Sequence, residues 1–347
     1  MLDWFTGVTL YDASHLTPDI VYRVSNQGDI AWSKECYVEA VGSYDEKLQL
    51  QRAIYPQMVI PTRSGGIVSS DLLRVSGNPT KYLQGHNAFG LGVDYLERLI
   101  AASILGLPET LRPVDADIDR NFIIKMSRVD IAKMINLGSH EVVHRWIQQL
   151  ALSARRRRAS ALMSGDTVYI GMGSRRWNIK AYCKACELLK HPPLHDANFT
   201  KLLHDVCEGM LRMELTLRGQ EIEGNPDLSE DTFWKYFDRL QIGAWDMARV
   251  KNIDSLSNAT QGIFWRWYSG DDGRTICKSI RTYYRHRRLI LDSLGVDIDV
   301  PRVNQEQVLE YVRFNGHELR DREVKAIPDI IRTHIYNPEV QLILVKI

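Results

Sequence analysis

Two Arg-x-acid strings are the residues whose types and spacing first suggest chemistry in this sequence. Arg128-Val129-Asp130 and Arg212-Met213-Glu214 both lie in stretches with the alternation of β-strands. Side chains two residues apart on a strand point to the same face, so each arginine would hold its neighbouring acid ionised. If the two strands share one sheet, both carboxylates can lie on one face. Such hard oxygen ligands suit Mg²⁺ or Mn²⁺.

A third string, Tyr182-Cys183-Lys184-Ala185-Cys186-Glu187, could supply a nucleophile. We expect Tyr182 and Lys184 to share a strand face, where an ammonium and a metal would stabilise the phenolate, and Glu187 could complete the metal site. From this string alone, a half-buried strand tyrosine beside surface charges is the simpler interpretation. The two cysteines have no second pair and no flanking histidine at zinc spacing, so we interpret them as packing.

Other catalytic motifs are absent or weak. The loop Gly85-His86-Asn87 offers an exposed imidazole, although a lone loop histidine is usually polar surface. No two histidines are separated by a single apolar residue, which excludes a two-histidine metal site of adjacent strand residues. Walker A, Gly-x-Ser-x-Gly and Gly-x-Gly-x-x-Gly sequences are also missing, which argues against NTPase, serine hydrolase and Rossmann functions.

The local distribution of charge points to a polyanionic partner. The 347 residues carry a formal charge of only +1, yet residues 142–186 hold nine basic side chains against the single acid Asp166. The basic members are Arg145, Arg155, Arg156, Arg157, Arg158, Arg175, Arg176, Lys180 and Lys184. A second cluster comprises Arg274, Lys278, Arg281, Arg285, Arg287 and Arg288, interleaved with Tyr283, Tyr284 and His286. Either cluster alone could be a solvated surface, but together they favour nucleic acid.

The order of predicted elements defines the fold class. The first ninety residues are β-rich, with turn clusters such as Gly77-Asn78-Pro79, and later strands are predicted at 121–132, 167–171, 177–184 and 210–218. Helices are predicted after residues 95, 139 and 198. We therefore predict an α+β fold with a mostly antiparallel central sheet and flanking helices. Gly224-Asn225-Pro226 suggests a boundary between a β-rich domain at 1–225 and a mainly helical domain at 227–347.

Composition also narrows the setting in which the protein acts. The fraction of hydrophobic residues is 44%, and no apolar run approaches the roughly 18 residues that span a bilayer, so we expect no membrane segment. Five cysteines do not form a disulfide framework, and the first residues lack the features of a signal peptide. A reducing cytoplasm is the expected location.

Taken in order, four strings resemble the gene II/X replication initiators of filamentous bacteriophages. They are Gly77-Asn78-Pro79-Thr80-Lys81-Tyr82-Leu83-Gln84-Gly85-His86-Asn87-Ala88-Phe89-Gly90, Ser127-Arg128-Val129-Asp130, Tyr182-x-Lys184-x-x-Glu187 and Arg212-x-Glu214. Residues 169–175 are also similar to rolling-circle plasmid initiators of the staphylococcal type. The resemblance covers roughly residues 70–220 and returns at 283–298, whereas the first sixty residues match no family that we can name.

The resemblance implies a sheet of the rolling-circle-initiator type and a metal-assisted nicking reaction. Such initiators cut one strand of a duplex origin, keep the 5′ phosphate on a tyrosine, leave a 3′ hydroxyl for the host polymerase and later rejoin the displaced strand. The implied roles are Tyr182 as nucleophile, Lys184 as charge stabiliser, Asp130, Glu187 and Glu214 as ligands of Mg²⁺ or Mn²⁺, Arg128 and Arg212 as orienting groups, and His86 as a ligand or nearby contact. The two-histidine motif of many rolling-circle nucleases is missing, which favours a carboxylate site.

The implied partners are the replicative-form origin, its single strand, and a host helicase and polymerase in the cytoplasm of a bacterial host. The residues that we expect to contact DNA are Arg155, Arg156, Arg157, Arg158, Arg175, Arg176, Lys180, Lys278, Arg281, Arg285, Arg287 and Arg288. Two alternatives stay open. A phage repressor or single-strand binder would need the basic clusters but not Tyr182, and a nuclease using water would cut DNA without becoming attached to it.

Overall fold

A computed structural model describes residues 1–54, 71–113, 124–156, 159–242, 253–299 and 316–337 of the chain. Its strands are β1 (Leu2–Asp12), β2 (Ile20–Val24), β3 (Ile30–Glu35), β4 (Val38–Val41), β5 (Lys47–Ile54), β6 (Asp71–Gly77), β7 (Ile124–Asn136), β8 (Ala154–Arg156), β9 (Ala159–Ser160), β10 (Leu162–Ser164), β11 (Thr167–Ile170), β12 (Trp177–Cys183), β13 (Met210–Arg218) and β14 (Gln241–Ile242). Its helices are α1 (Pro79–Gln84), α2 (Leu96–Leu105), α3 (His140–Ser153), α4 (Lys184–Lys190), α5 (Ala197–Cys207), α6 (Gln220–Glu223), α7 (Thr232–Phe237), α8 (Asn258–Tyr268), α9 (Gly273–Ile276), α10 (Ile280–Leu294), α11 (Gly316–Asp321) and α12 (Asp329–Arg332), with a 3₁₀ turn at Val93–Tyr95.

One large antiparallel sheet organises the described residues. Its nine strands follow the order β10-β11-β12-β13-β7-β1-β6-β5-β4, and every neighbouring pair is antiparallel. Two short sheets, β14-β8-β9 and β2-β3, stand apart from it. The predicted α+β class with a mostly antiparallel central sheet is therefore confirmed. The N-terminal strand β1 lies inside this sheet, between β7 and β6, so it forms part of the central frame.

The central strands β12 and β13 have chemically different faces. Odd-numbered residues such as Ile179, Ala181 and Met213 are apolar and belong to the main core, and α3 packs across these strands. Even-numbered residues such as Lys180 and Glu214 are polar or charged, although Glu214 is fully buried. Since strand side chains alternate between faces, the sequence concentrates its polar groups on one side of the sheet.

Helix boundaries follow local capping chemistry. The helices predicted after residues 95, 139 and 198 are confirmed as α2, α3 and α5. Ser139 caps α3 by accepting a hydrogen bond from the backbone N–H of Val142 at 3.3 Å, and Asp196 caps α5 in the same way. The predicted turn at Gly77-Asn78-Pro79 instead starts α1, because Asn78 accepts from the N–H of Lys81 and proline fits the first helical turn.

The chain after residue 225 divides between two cores. Phe233 and Trp234 of α7, with Leu319 and Ile331 further on, belong to the same core as the central sheet. A separate core is built by the helices between residues 253 and 299, including Trp267. The predicted boundary at 225–227 thus does not coincide with a break in the core. We propose that the second structural unit begins near residue 253.

Lys133 of β7 shows how the later chain is attached to the sheet. Its buried ammonium donates to Glu230 at 2.5 Å and to Glu323 at 2.7 Å. These contacts join three parts of the chain that are far apart in sequence.

None of the described helices is long and apolar enough to span a lipid bilayer.

Candidate active site

Strand register brings both Arg-x-acid strings to one face of the sheet. Asp130 of β7 lies opposite Thr216 of β13, and residues 212, 214 and 216 share the same face. Strand β12 pairs with the other edge of β13, where Tyr182 lies opposite Arg212 and Lys180 lies opposite Glu214. The expectation that the two carboxylates share a face is confirmed. It adds Lys180 and Tyr182 to the same surface.

Arg128 and Asp130 form a bidentate pair. Arg128 donates from Nε to Oδ1 at 2.9 Å and from Nη2 to Oδ2 at 2.5 Å. The Asp130 side chain is almost fully buried, whereas that of Arg128 is 35% exposed. Burial raises the pKa of Asp130, and the hydrogen bonds and charge of Arg128 offset only part of this increase. Arg128 thus orients this carboxylate while staying in reach of solvent.

Arg212 is fully buried at the centre of the site. Its guanidinium donates to Glu214 Oε1 at 2.9 Å, to Asp3 Oδ1 at 2.7 Å and to the Asn87 carbonyl at 2.5 Å. Of the two roles considered for it, orienting carboxylates is the one this geometry supports. A scissile phosphate could not reach the guanidinium without displacing one of these groups.

Asp3 is a member of this network that sequence reasoning missed. It accepts from Arg212, from Asn78 Nδ2 at 2.9 Å and from Asn87 Nδ2 at 2.7 Å. Burial alone would raise the pKa of Asp3, but the charge of Arg212 and these hydrogen bonds hold it well below its usual range. An acid within the apolar start Met1-Leu2-Asp3-Trp4-Phe5 was the available signal, because a buried carboxylate needs partners.

Tyr182 points directly at a carboxylate. Its hydroxyl donates to Glu214 Oε1, and the ammonium of Lys180 lies 2.6 Å from Glu214 Oε2 and 5.4 Å from the centre of the Tyr182 ring. Burial, followed by the negative charge of Glu214, raises the pKa of Tyr182 well above its usual value. The phenol is therefore protonated, with a proton acceptor already in contact.

Lys184 differs from its predicted position. Strand β12 ends at Cys183, so Lys184 is the first residue of α4 and does not share a strand face with Tyr182. Its buried ammonium donates to Asn87 Oδ1 at 2.8 Å and to Glu187 Oε2 at 2.6 Å. The expectation that Lys184 shares a strand face with Tyr182 is therefore wrong, because α4 already begins at Lys184. Lys180, two residues before Tyr182 on β12, is the lysine beside the phenol.

The loop after α1 contributes Asn87 rather than His86. Asn87 links Asp3, Arg212 and Lys184, whereas the predicted exposed imidazole of His86 is 1% exposed. The His86 ring packs against the rings of His195 and Phe199, and burial lowers its pKa to about 3. The exposed imidazole predicted for this loop is corrected accordingly.

Access to Tyr182 is provided by a cleft of about 210 Å³. Tyr169, Lys180 and Tyr182 form part of its wall. Cys183, Cys186, Glu187 and Lys190 also line it. Glu187 is 24% exposed and pairs with Lys184, so it lies at the edge of the charged network. Among the described residues, the side chains that converge closely enough to hold a metal ion are His140, His144, Cys183 and Cys186. The predicted ligands Asp130, Glu187, Glu214 and His86 are not part of that cluster.

The first basic cluster is partly exposed. Arg175 and Arg176 lie in the exposed turn between β11 and β12, where Arg176 pairs with Glu221 at 2.6 Å. Arg156 stacks its guanidinium 4.2 Å from the centre of the Trp177 ring, and Arg155 is half-buried on β8. Arg157 and Arg158 lie outside the described residues.

The second basic cluster divides between two faces of α10. Lys278 precedes the helix, and Arg281, Arg285 and Arg288 follow at helical spacing, all of them exposed with Tyr284. Tyr283 and His286, which are interleaved with this cluster in the sequence, are buried in the interior of this helical unit and are not available to nucleic acid.

The prediction that Arg287 contacts DNA is also corrected. It pairs with Asp297 at 2.6 Å and donates to the carbonyl of Met163, which joins α10 to β10. Its side chain is only 11% exposed, so it stabilises the fold and is not available to DNA.

Sequence comparison assigns the chain to a class of replication proteins. Residues 1–232 match the family model for the N-terminal region of the phage gene II replication-associated protein, and the chain belongs to this family. The identification with the phage gene II/X initiators is thereby confirmed. The replication-associated protein of the same type from Enterobacteria phage I2-2 is 27% identical over 340 residues, which cover 90% of this chain and 92% of that protein.

Among solved structures, a rolling circle replication initiator protein from Geobacillus stearothermophilus shares 11% identity with this chain. The match covers 87% of this chain and 98% of the other, with a TM-score of 0.31. That score is too low to support an argument about the fold, so the family assignment rests on the sequence.

Proposed function

We propose that this protein initiates phage rolling-circle replication by nicking one strand of the origin through a phosphotyrosine at Tyr182. The observation that carries the proposal is the hydrogen bond from the Tyr182 hydroxyl to Glu214, within a network that joins three of the four strings of the family resemblance. A buried tyrosine that served only packing would need one hydrogen-bond partner of any kind. Here that partner is a carboxylate, which Arg212 and Lys180 hold at the edge of a cleft.

The proposed reaction is a transfer of the phosphoryl group. The Tyr182 oxygen attacks the scissile phosphorus, its proton passes to the Glu214 carboxylate, and the bond from phosphorus to the 3′ oxygen breaks. The departing oxygen takes up a proton from water and becomes the 3′ hydroxyl, Glu214 returns its proton to solvent, and the 5′ phosphate stays on the tyrosine. The phosphotyrosine conserves the energy of the broken diester, so the later joining step needs no ATP.

Lys180 has the geometry to stabilise the charge that develops in this step. Its ammonium lies over the Tyr182 ring and beside Glu214, so it can follow negative charge from the phenolate to the phosphorane. Lys184 acts through Asn87 and Glu187, which makes it a positioning residue. This assignment gives Lys180, which the sequence suggested as a DNA contact, the charge-stabilising role that the sequence suggested for Lys184.

A divalent cation, Mg²⁺ or Mn²⁺, is part of the proposal. The donor chemistry fits, since Asp130 and Glu214 offer hard oxygens on one face and a carboxylate keeps spare lone pairs when it accepts from arginine or lysine. We propose Asp130 and Glu214 as its ligands, with Glu187 at the cleft edge as a third. Because these carboxylates do not converge in the structure, binding the ion requires them to move together. When bound, such an ion polarises a phosphoryl oxygen. His86 is buried and packs against His195 and Phe199, so we do not include it.

The exposed basic side chains supply the DNA contacts in this proposal. Arg175 and Arg176 lie on the same strand connection that leads into β12. Arg281, Arg285 and Arg288 lie on the exposed face of α10, and the exposed Lys278 precedes that helix. These positions suit the phosphates of the duplex origin or of its displaced strand. The 3′ hydroxyl would be extended by a host polymerase, with a host helicase unwinding the duplex ahead.

The experiment that tests the proposal uses labelled single-stranded DNA spanning the phage origin. Wild type, Tyr182→Phe and the matched control Tyr169→Phe, which lines the same cleft, are incubated with Mn²⁺ or with EDTA and resolved on a denaturing gel. We expect a covalent band from wild type and Tyr169→Phe with Mn²⁺ only. Cleavage without a covalent band would assign the attack to water, and tight binding without cleavage would favour the non-catalytic DNA-binding alternative.

A further inference from the structure

Four side chains of metal-binding type converge where β12 ends, beside the cleft that Tyr182 lines. His140 and His144 come from α3, Cys183 from the last position of β12, and Cys186 from α4. One ligand atom from each lies within 4.8 Å of all the others. The structure therefore contradicts the expectation that no histidine accompanies the Cys-x-x-Cys pair: two histidines reach it from a helix that begins 43 residues earlier in the chain (183 − 140).

The individual contacts are short and involve the atoms that would bind a metal. Cys186 Sγ lies 3.0 Å from His140 Nε2 and 3.3 Å from His144 Nε2, and the two imidazole nitrogens are 3.1 Å apart. The two sulfur atoms are 2.6 Å apart. Ligand atoms around one zinc ion lie about 3.3–3.8 Å apart, so the set is already close to that size and one cysteine side chain must rotate outward.

Local structure explains why the four residues meet. His140 and His144 are one helical turn apart, so both rings lie on the same side of α3 near its capped start. Cys183 and Cys186 span the strand-to-helix junction, where Cys183 Sγ accepts the N–H of Cys186 at 3.3 Å. Gly209 fixes the start of α3 against β13, since a Cβ there would lie 2.7 Å from Gly138 and Ser139 backbone atoms.

We propose that His140, His144, Cys183 and Cys186 form a structural zinc site. Two thiolates and two imidazoles are the borderline-soft, tetrahedral donor set that zinc prefers, whereas Mg²⁺ or Mn²⁺ would favour carboxylates such as Asp130 and Glu214. The spacings, three residues between the histidines and two between the cysteines, also match those of structural zinc ligands. All four positions are filled by protein, as in a structural rather than a catalytic site.

The zinc would act as a positioning element for the nicking residues. Cys183 directly follows Tyr182, and Cys186 lies between Lys184 and Glu187. Joining these cysteines to α3 holds the end of β12 and the start of α4 in a fixed relation. This consequence rests on the proposed function of Tyr182, whereas the presence of the zinc site does not.

Metal content tests the site directly. We would purify wild type and the variants His140→Gln and Cys186→Ser, which change the two more exposed sides of the cluster, and measure zinc by elemental analysis. The matched controls are His204→Gln and Cys36→Ser, neither of which belongs to the cluster. We expect close to one zinc per chain in wild type and both controls, and a near-complete loss in both cluster variants.

Cobalt substitution reports the ligand set. Wild type reconstituted with Co²⁺ should show the visible bands of tetrahedral cobalt and a thiolate-to-cobalt charge-transfer band, and Cys186→Ser should lose the latter. Circular dichroism of each variant shows whether the fold persists. A wild type that holds no zinc and gives no such spectrum, a Cys183–Cys186 disulfide in reduced preparations, or zinc retained in both variants would overturn the proposal. None of these readouts requires DNA cleavage, so they are independent of the nicking assay.

Discussion

The Tyr182 hydroxyl on β12 donates its hydrogen bond to Glu214 on β13, diagonally across the strand pair. The same carboxylate accepts from Arg212 and pairs with Lys180. The candidate nucleophile and its proton acceptor are thus fixed by sheet register, which sets their relation more firmly than a loop would. This geometry is the basis of the first prediction.

Replacing Glu214 with Gln removes the proton acceptor while keeping its shape. We expect formation of the covalent adduct to slow by at least about 10²–10⁴-fold, because general-base assistance alone contributes an effect of this size and the variant also weakens a proposed metal ligand. Binding to origin DNA should change much less. Single-turnover gel assays beside equilibrium binding measure the two effects separately, and an unchanged adduct rate would assign Glu214 a purely structural role.

Replacing Asp3 with Asn tests the contribution of the N-terminal strand. The substitution leaves the fully buried Arg212 with one acid fewer, and breaking a buried ion pair from one side costs about 3 kcal/mol of unfolding free energy. Urea denaturation measures this loss. The comparison variant is Glu39→Gln, whose exposed pair with Lys47 contributes little because solvent screens it. Equal effects for the two variants would contradict the assigned role of Asp3.

Neighbouring arginines of α10 should respond in opposite ways. Replacing the exposed Arg285 with Ala should weaken DNA binding and reduce the salt dependence of the logarithm of affinity by about 0.9, the value for one lost phosphate contact. Stability should be nearly unchanged. Arg287→Ala should instead lower the unfolding free energy, because Asp297 loses its buried partner. Affinity measured over a salt series and urea denaturation distinguish the two, and the reverse pattern would refute the assignment.

Glu230 should make part of the stability depend on pH. Burial by itself would raise its pKa, but the charges of the Met1 ammonium and Lys133 lower the value to about 2. A carboxyl whose pKa is depressed in the folded state stabilises the protein above its unfolded pKa, and this contribution is lost as pH falls from about 4.5 towards 2. Since the side chain is 36% exposed, solvent screening limits the contribution to about 1–2 kcal/mol.

The measurement for Glu230 is urea denaturation of wild type and Glu230→Gln at pH 7 and at pH 3. At pH 7 we expect the wild type to have a higher unfolding free energy than Glu230→Gln. At pH 3 this difference between the two proteins should be smaller. A difference that stays constant with pH would show that Glu230 contributes through packing and hydrogen bonding rather than through its charge.

The sequence by itself determined the strands that carry the site. Period-two alternation placed Arg128 with Asp130 and Arg212 with Glu214, since facing within a strand is a local property of the backbone. Helix caps such as Ser139 were equally readable. The family resemblance then identified Tyr182 as the candidate nucleophile, and the family model confirms the family.

Only the tertiary structure decided which distant residues meet. Asp3 contacts Arg212 across 209 positions of sequence, and the two histidines of α3 reach the cysteines beside Tyr182. Local patterns show that a strand exists and which face is apolar, but the order of strands is set by non-local packing of the whole core. Lys180 rather than Lys184 lies beside the phenol for a local reason that alternation could not show. Strand β12 ends at Cys183, whose side chain caps the following helix.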